Sequence, residues 1–158
     1  MNRQRLLQLV RVLRAVAADA AVFDLRGWTS PIHVRPEDEN SAVCGTSCCA
    51  VGWAALDPWF QEQGLVLKVY DGSVDDHVRV DDVTTLVRVH GNSRCGCPYP
   101  HHQDDRGYGA VAAFFDIEHA MSVIIFAPDK YDRPDDPAAV IARALAFVVL
   151  DIVSEDKA

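Results

Sequence analysis

The first twenty residues carry apolar side chains at helical spacing. Leu6, Leu9, Leu13, Val16 and Ala20 fall three or four apart, with Val10 and Ala17 alongside, while Gln4, Gln8, Arg11 and Arg14 take the other side. This pattern predicts a helix over 3–22. Periodicity then stops. Gly27, Pro31 and Pro36 punctuate an irregular stretch over 23–43, Pro36-Glu37-Asp38-Glu39-Asn40 reads as an acidic surface turn, and Trp28 and Ile32 are the expected anchors. Small and apolar residues next crowd into Cys44-Gly45-Thr46-Ser47-Cys48-Cys49-Ala50-Val51-Gly52-Trp53-Ala54-Ala55. Thr46 has the side chain of an N-cap, so a buried helix is expected over about 46–56, closed by Asp57-Pro58. Gly52 costs on the order of 1 kcal/mol against alanine inside a helix, which points to close approach by another element. Pro58 opens a second short helix through Gln63, and Gly64 ends it.

From 65 to 90 the period changes to two. Leu65, Leu67 and Val69 alternate with Val66, Lys68 and Tyr70; Val78 and Val80 alternate with Arg79 and Asp81; Leu86, Val87 and Val89 follow, and Asp71-Gly72 marks a turn. This predicts a small antiparallel sheet of two or three strands. Residues 91–106, with two glycines and two prolines, read as a loop. Helical character returns in the last third. Gly109 to Phe115 is a short apolar helix, and Asp116 is expected to cap another whose buried side is Ile117, Ala120, Met121, Ile124 and Ile125. Asp136-Pro137 opens a final helix to about Val153. That helix is apolar on nearly all sides, so it is expected to be buried all round, packed on the Cys44–Ala55 helix. The fold class expected is α+β, mostly helical: a single domain over 1–158 with a small antiparallel sheet inserted around residues 65–90.

Phe23-Asp24-Leu25 with Trp28, followed by Cys44-Gly45-Thr46-x-x-Cys49-x-x-Gly52-Trp53-Ala54, resembles the F-D-M-x-x-W…C-G-T-x-x-C-x-A-G-W-A pattern of small proteins from actinobacteria and their phages. Phe114-Phe115-Asp116-Ile117 and Ile125-Phe126-Ala127-Pro128-Asp129-Lys130-Tyr131 resemble a looser F-F-G-L…L-F-x-P-x-x-Y motif of the same proteins. Leu25, Val51 and Asp116 depart from the pattern, which has Met, Ala and Gly there. The resemblance implies a related fold and a bacterial or phage source. It makes Cys44, Gly45, Thr46, Cys49, Gly52 and Trp53 a structural motif, and it implies no activity.

Composition narrows the partners. The net charge of −8 disfavours nucleic acid and anionic membranes. Residues 1–20 run the other way, with four arginines against Asp19, which leaves −11 for the rest. The first twenty residues are interrupted by arginine and lack a cleavable apolar run, so a cytoplasmic protein is expected. No stretch reaches the ~20 apolar residues of a membrane span. Five cysteines without a secretion signal point to reduced thiols or metal ligands.

Three chemistries follow. Cys95-x-Cys97, with His101 or His102 as a third ligand, is a set suited to zinc, although one intervening residue is tighter than ordinary zinc knuckles. His90 or a cysteine of the Cys44–Cys49 stretch would complete it. A cysteine-nucleophile enzyme would draw on Cys44, Cys48 or Cys49, with His33, His90 or His119 as base. A thiol in the first turn of a helix gains thiolate character from the dipole, whereas a buried cysteine acts as apolar filler. Gly107-Tyr108-Gly109 opens a helix but lacks the lysine of a phosphate loop. No catalytic set is complete. The first expectation is therefore binding of a protein partner or self-association as a homo-oligomer, with a zinc-stabilised module and a cysteine enzyme as alternatives.

Overall fold

A computed structural model describes residues 1–18, 23–26, 29–31, 46–70, 77–80 and 99–155. The chain is α+β and mostly helical. Helix α1 (Arg3–Ala18) buries Leu6, Leu9, Val10, Leu13 and Val16, the stripe its sequence period marks.

The cysteine-rich stretch differs from its expected form. Thr46–Cys48 is a strand, β2, paired antiparallel with β1 (Thr29–Pro31) in the register Thr29↔Cys48. Thr46 is therefore not a helix cap. Cys48 also bridges to Phe23. Helix α2 (Ala50–Leu56) begins four residues later than expected, with Cys49 as its N-cap. Pairing across the sheet holds the backbone extended through Cys48, so the helix cannot start sooner.

Asp57 caps α3 (Pro58–Glu62), with Pro58 in its first turn as expected. Gly64 closes α3 in a Schellman arrangement: its N–H donates to the carbonyl of Gln61, and Leu65 N–H donates to Phe60. Gly64 has φ +87°, and Leu65 and Phe60 are both buried. That turn launches β3 (Val66–Tyr70).

The main sheet extends beyond 65–90. Its order is β4 (His77–Val80), β3, β5 (Tyr99–His102), β6 (Asp105–Arg106), all antiparallel. The expectation of a loop over 91–106 is overturned for its last part. Pro100 is tolerated in β5 because β6 pairs only with His101 and His102, leaving one side of the strand open at Pro100. The expected Asp71-Gly72 turn, the Leu86–Val89 strand, the 36–40 turn, and the anchors Trp28 and Ile32 lie outside the described residues.

Helix α4 (Gly107–Phe115) buries Ala110, Val111, Ala112, Phe114 and Phe115. Asp116 ends α4 in the left-handed conformation (φ 52°) instead of opening the next helix. Helix α5 (His119–Phe126) follows Glu118 and buries Ser122, Ile125 and Phe126. Its expected buried side is thus corrected: Ala120 and Ile124 are exposed. Ile125 is buried as expected, while Ser122 and Phe126 take the core side in place of Ala120 and Ile124. Phe60, Phe114, Phe115 and Phe126 form a continuous ladder of ring contacts with centroids 5.2–5.7 Å apart between successive rings.

Helix α6 (Pro137–Glu155) opens with Asp136 accepting the Ala138 N–H at 2.9 Å, as expected. Its packing is not as expected. Only Val140, Ala144 and Val148 are buried, and the helix lies along α1, not against α2. Both ends of the chain therefore share one layer, and α2 is covered by α1, β3 and β5.

Candidate functional site

Cys49 sits where β2 passes into α2. Its Sγ accepts the Gly52 N–H at 3.3 Å, and the residue is 2% exposed. Burial pushes the thiol up to about 12, against the opposing pull of backbone N–H groups. Desolvation of the thiolate outweighs the favourable start of a short helix, so Cys49 is a thiol at neutral pH. Tyr108 lies near it; burial and the Cys49 charge carry the phenol up to about 12. Cys48 is fully buried. A nucleophile needs both ionisation and access. Cys49 has neither at neutral pH, and Cys48 lacks access. Of the bases considered, His119 is exposed at the first position of α5. Cys44, Gly45, His33 and His90 lie outside the described residues. Gly52 is buried and Trp53 half-buried, so these two motif residues, with Cys49, serve the core.

His101 and His102 are adjacent in β5, and a strand sends successive side chains to opposite faces. His101 lies beside the Tyr99 ring at 4.9 Å. His102 points the other way, edge-on to Phe114 at 5.0 Å, with Nδ1 3.2 Å from the Gly64 carbonyl oxygen. An acceptor oxygen requires the proton on Nδ1. Both histidines are buried. One ion can take one of them, not both. Cys95 and Cys97 lie outside the described residues, and among the described residues no three His, Cys, Asp or Glu side chains are placed to hold a metal ion.

Gln4, Leu7, Gln8, Arg11 and Trp59 line an open groove of about 320 Å³ between α1 and α3. Arg11 reaches Gln8 at 3.3 Å across its edge.

The most distinctive surface is the outward side of α6. Ala138, Ala142, Ala146, Val149, Leu150 and Val153 are all exposed. At 100° per residue they fall within a sector of about 120°, opposite Val140, Ala144 and Val148. Leu150 is 63% exposed and Val149 57%, well beyond what scattered surface apolar residues need. The charged side chains of Arg143 and Asp151 are engaged within the fold. Arg143 covers the Tyr131 ring at 4.0 Å and donates to the carbonyls of Ile124 at 2.6 Å and Lys130 at 2.8 Å. Asp151 accepts from Arg3 at 2.6 Å. The window Pro137–Ser154 has a mean hydropathy of 1.9 over 18 residues, and 17% of it is buried. By length and composition alone it reaches the lower end of a membrane span, which revises the expectation that no stretch does.

Sequence reasoning misses this surface because a uniformly apolar helix gives no phase. The one available signal is the four-residue spacing of Ala138, Ala142 and Ala146, which marks a line along one side of the helix. No protein-family model, no curated protein and no solved structure matches the chain.

Proposed function

We propose that the protein acts by binding another macromolecule through the outward face of α6, in the cytoplasm of a bacterium or a phage-infected cell, and carries out no reaction of its own. The observation that carries this reading is an uncharged apolar face on a chain of net charge −8. Such a face loses free energy in water and gains it by being covered, at roughly 25 cal/mol per Å². The described thiols are built into the core, which favours binding over cysteine chemistry. The resemblance to small actinobacterial and phage proteins agrees with the source and adds no activity.

The test is cross-linking of the native chain in cell extract, with the linked peptides mapped by mass spectrometry and Leu150→Lys run in parallel. Links should concentrate on α6 and disappear in the variant. A partner linked elsewhere, and held equally by Leu150→Lys, would sink the reading.

A further inference from the structure

We infer that the occupant of the α6 face is a second copy of the chain, packed as an antiparallel pair of α6 helices about a two-fold axis near Ala146. This rests on the reading of α6 as the contact surface. Three features of the face fit a second copy.

The first is charge. A two-fold contact sets a surface against itself, so any charge on it meets its own sign. Two copies of net charge −8 repel over most approaches. The outward sector of α6 opposes no like charges, because Arg143 and Asp151 are both engaged within the fold.

The second is shape. The amino-terminal half of the exposed sector is small, with Ala138, Ala142 and Ala146; the carboxy-terminal half is large, with Val149, Leu150 and Val153. An antiparallel two-fold near Ala146 sets Val149 and Leu150 of one copy over Ala142 of the other, and Val153 over Ala138. Bulky side chains then enter the gaps left by small ones along the whole contact. A parallel pairing would instead oppose large with large and small with small.

The third is extent. The 19 residues of α6 span about 28 Å. One helix face of that length makes a small contact, so a weak, reversible dimer is expected. A lipid surface would also cover an apolar helix. Here α6 is fixed by Val140, Ala144 and Val148 to α1, whose other side carries Gln4, Gln8, Arg11 and Arg14, and the acidic body disfavours an anionic leaflet.

The test is sedimentation equilibrium of the full chain across micromolar concentrations, with Ala142→Glu and Leu150→Lys. Both positions are exposed, so far-UV circular dichroism should be unchanged. The wild type should rise from 17.4 kDa towards twice that mass. Each variant alone should associate more than about tenfold more weakly, because a charge is buried without a partner. Mixing the two variants in equal amounts should restore the dimer. Antiparallel packing brings the carboxylate introduced by Ala142→Glu in one copy to the ammonium introduced by Leu150→Lys in the other. A wild type that stays monomeric overturns the second-copy inference, while cross-links on α6 to a different protein would still leave the broader reading intact. Unaltered association by Leu150→Lys, or no recovery on mixing, also overturns it. So does monomeric co-sedimentation of the wild type, but not Leu150→Lys, with phosphatidylcholine vesicles.

Discussion

Arg3 Nε donates to Asp151 Oδ2 at 2.6 Å, tying the first turn of α1 to the end of α6. The pair is only partly exposed, and it joins the two helices on the side of α6 that also buries Val140, Ala144 and Val148. Asp151→Asn should lower stability by about 1 kcal/mol, the upper end for such pairs. Arg3→Gln should cost about the same, and the double variant little more than either. Urea denaturation of the three variants reads this coupling.

Gly64 has φ +87° and closes the turn between α3 and β3, while its carbonyl accepts from His102 on β5. Gly64→Ala places a Cβ at 3.5 Å from His102 Nδ1, an ordinary contact, so the cost is backbone strain alone. The expected loss is about 1–2 kcal/mol, seen as a lower midpoint in thermal unfolding. Gly64→Asn should recover part of it, because asparagine tolerates the left-handed region better.

Burial raises the Cys49 thiol from 9.0 to about 12. A folded-state pKa above the unfolded one means that the stabilisation is fully present below the unfolded value. It is lost as pH rises through the window from about 9 to about 12, by up to about 1.4 kcal/mol per pH unit. Stability measured between pH 8 and pH 10 should therefore fall above about 9, and Cys49→Ala should flatten that fall. The same burial predicts that Cys49 resists a thiol reagent until the chain unfolds. Rapid labelling of Cys49 in the native chain would contradict this placement.

Arg143 joins α6 to α5 and the segment after it, through the carbonyl of Ile124 and through the Tyr131 ring and the carbonyl of Lys130. Lysine keeps the charge but loses the planar fork. Arg143→Lys should lower stability by about 1–2 kcal/mol, or several degrees in the thermal midpoint for a chain of this length.

The buried stripe of α1, the Asp57-Pro58 and Asp136-Pro137 helix starts and the Gly64 stop are all legible in the sequence, because each depends on residues a few positions apart. Thr46 misleads because an N-cap residue and a strand residue share the same extended backbone; pairing with Thr29–Pro31 chooses between them. Asp116 misleads for a similar reason. Its side chain suits a helix start, yet the chain uses its tolerance of the left-handed region to stop α4. Strand β5 sends His101 and His102 to opposite faces, which the sequence spacing does not show, and Cys95 and Cys97 lie outside the described residues.

The sequence by itself determined the class of fold, most helix positions and the acidic, cysteine-bearing character of the chain, since local periodicity, turn chemistry and composition act over short range. Only the tertiary structure decided which side of α6 meets the core. With apolar residues on nearly every side, the helix could have buried any of them. Packing on α1, joined by Arg3 and Asp151, buries Val140, Ala144 and Val148 and leaves the Ala142–Leu150 side in water. That choice is long-range, and it created the surface on which the proposed function depends.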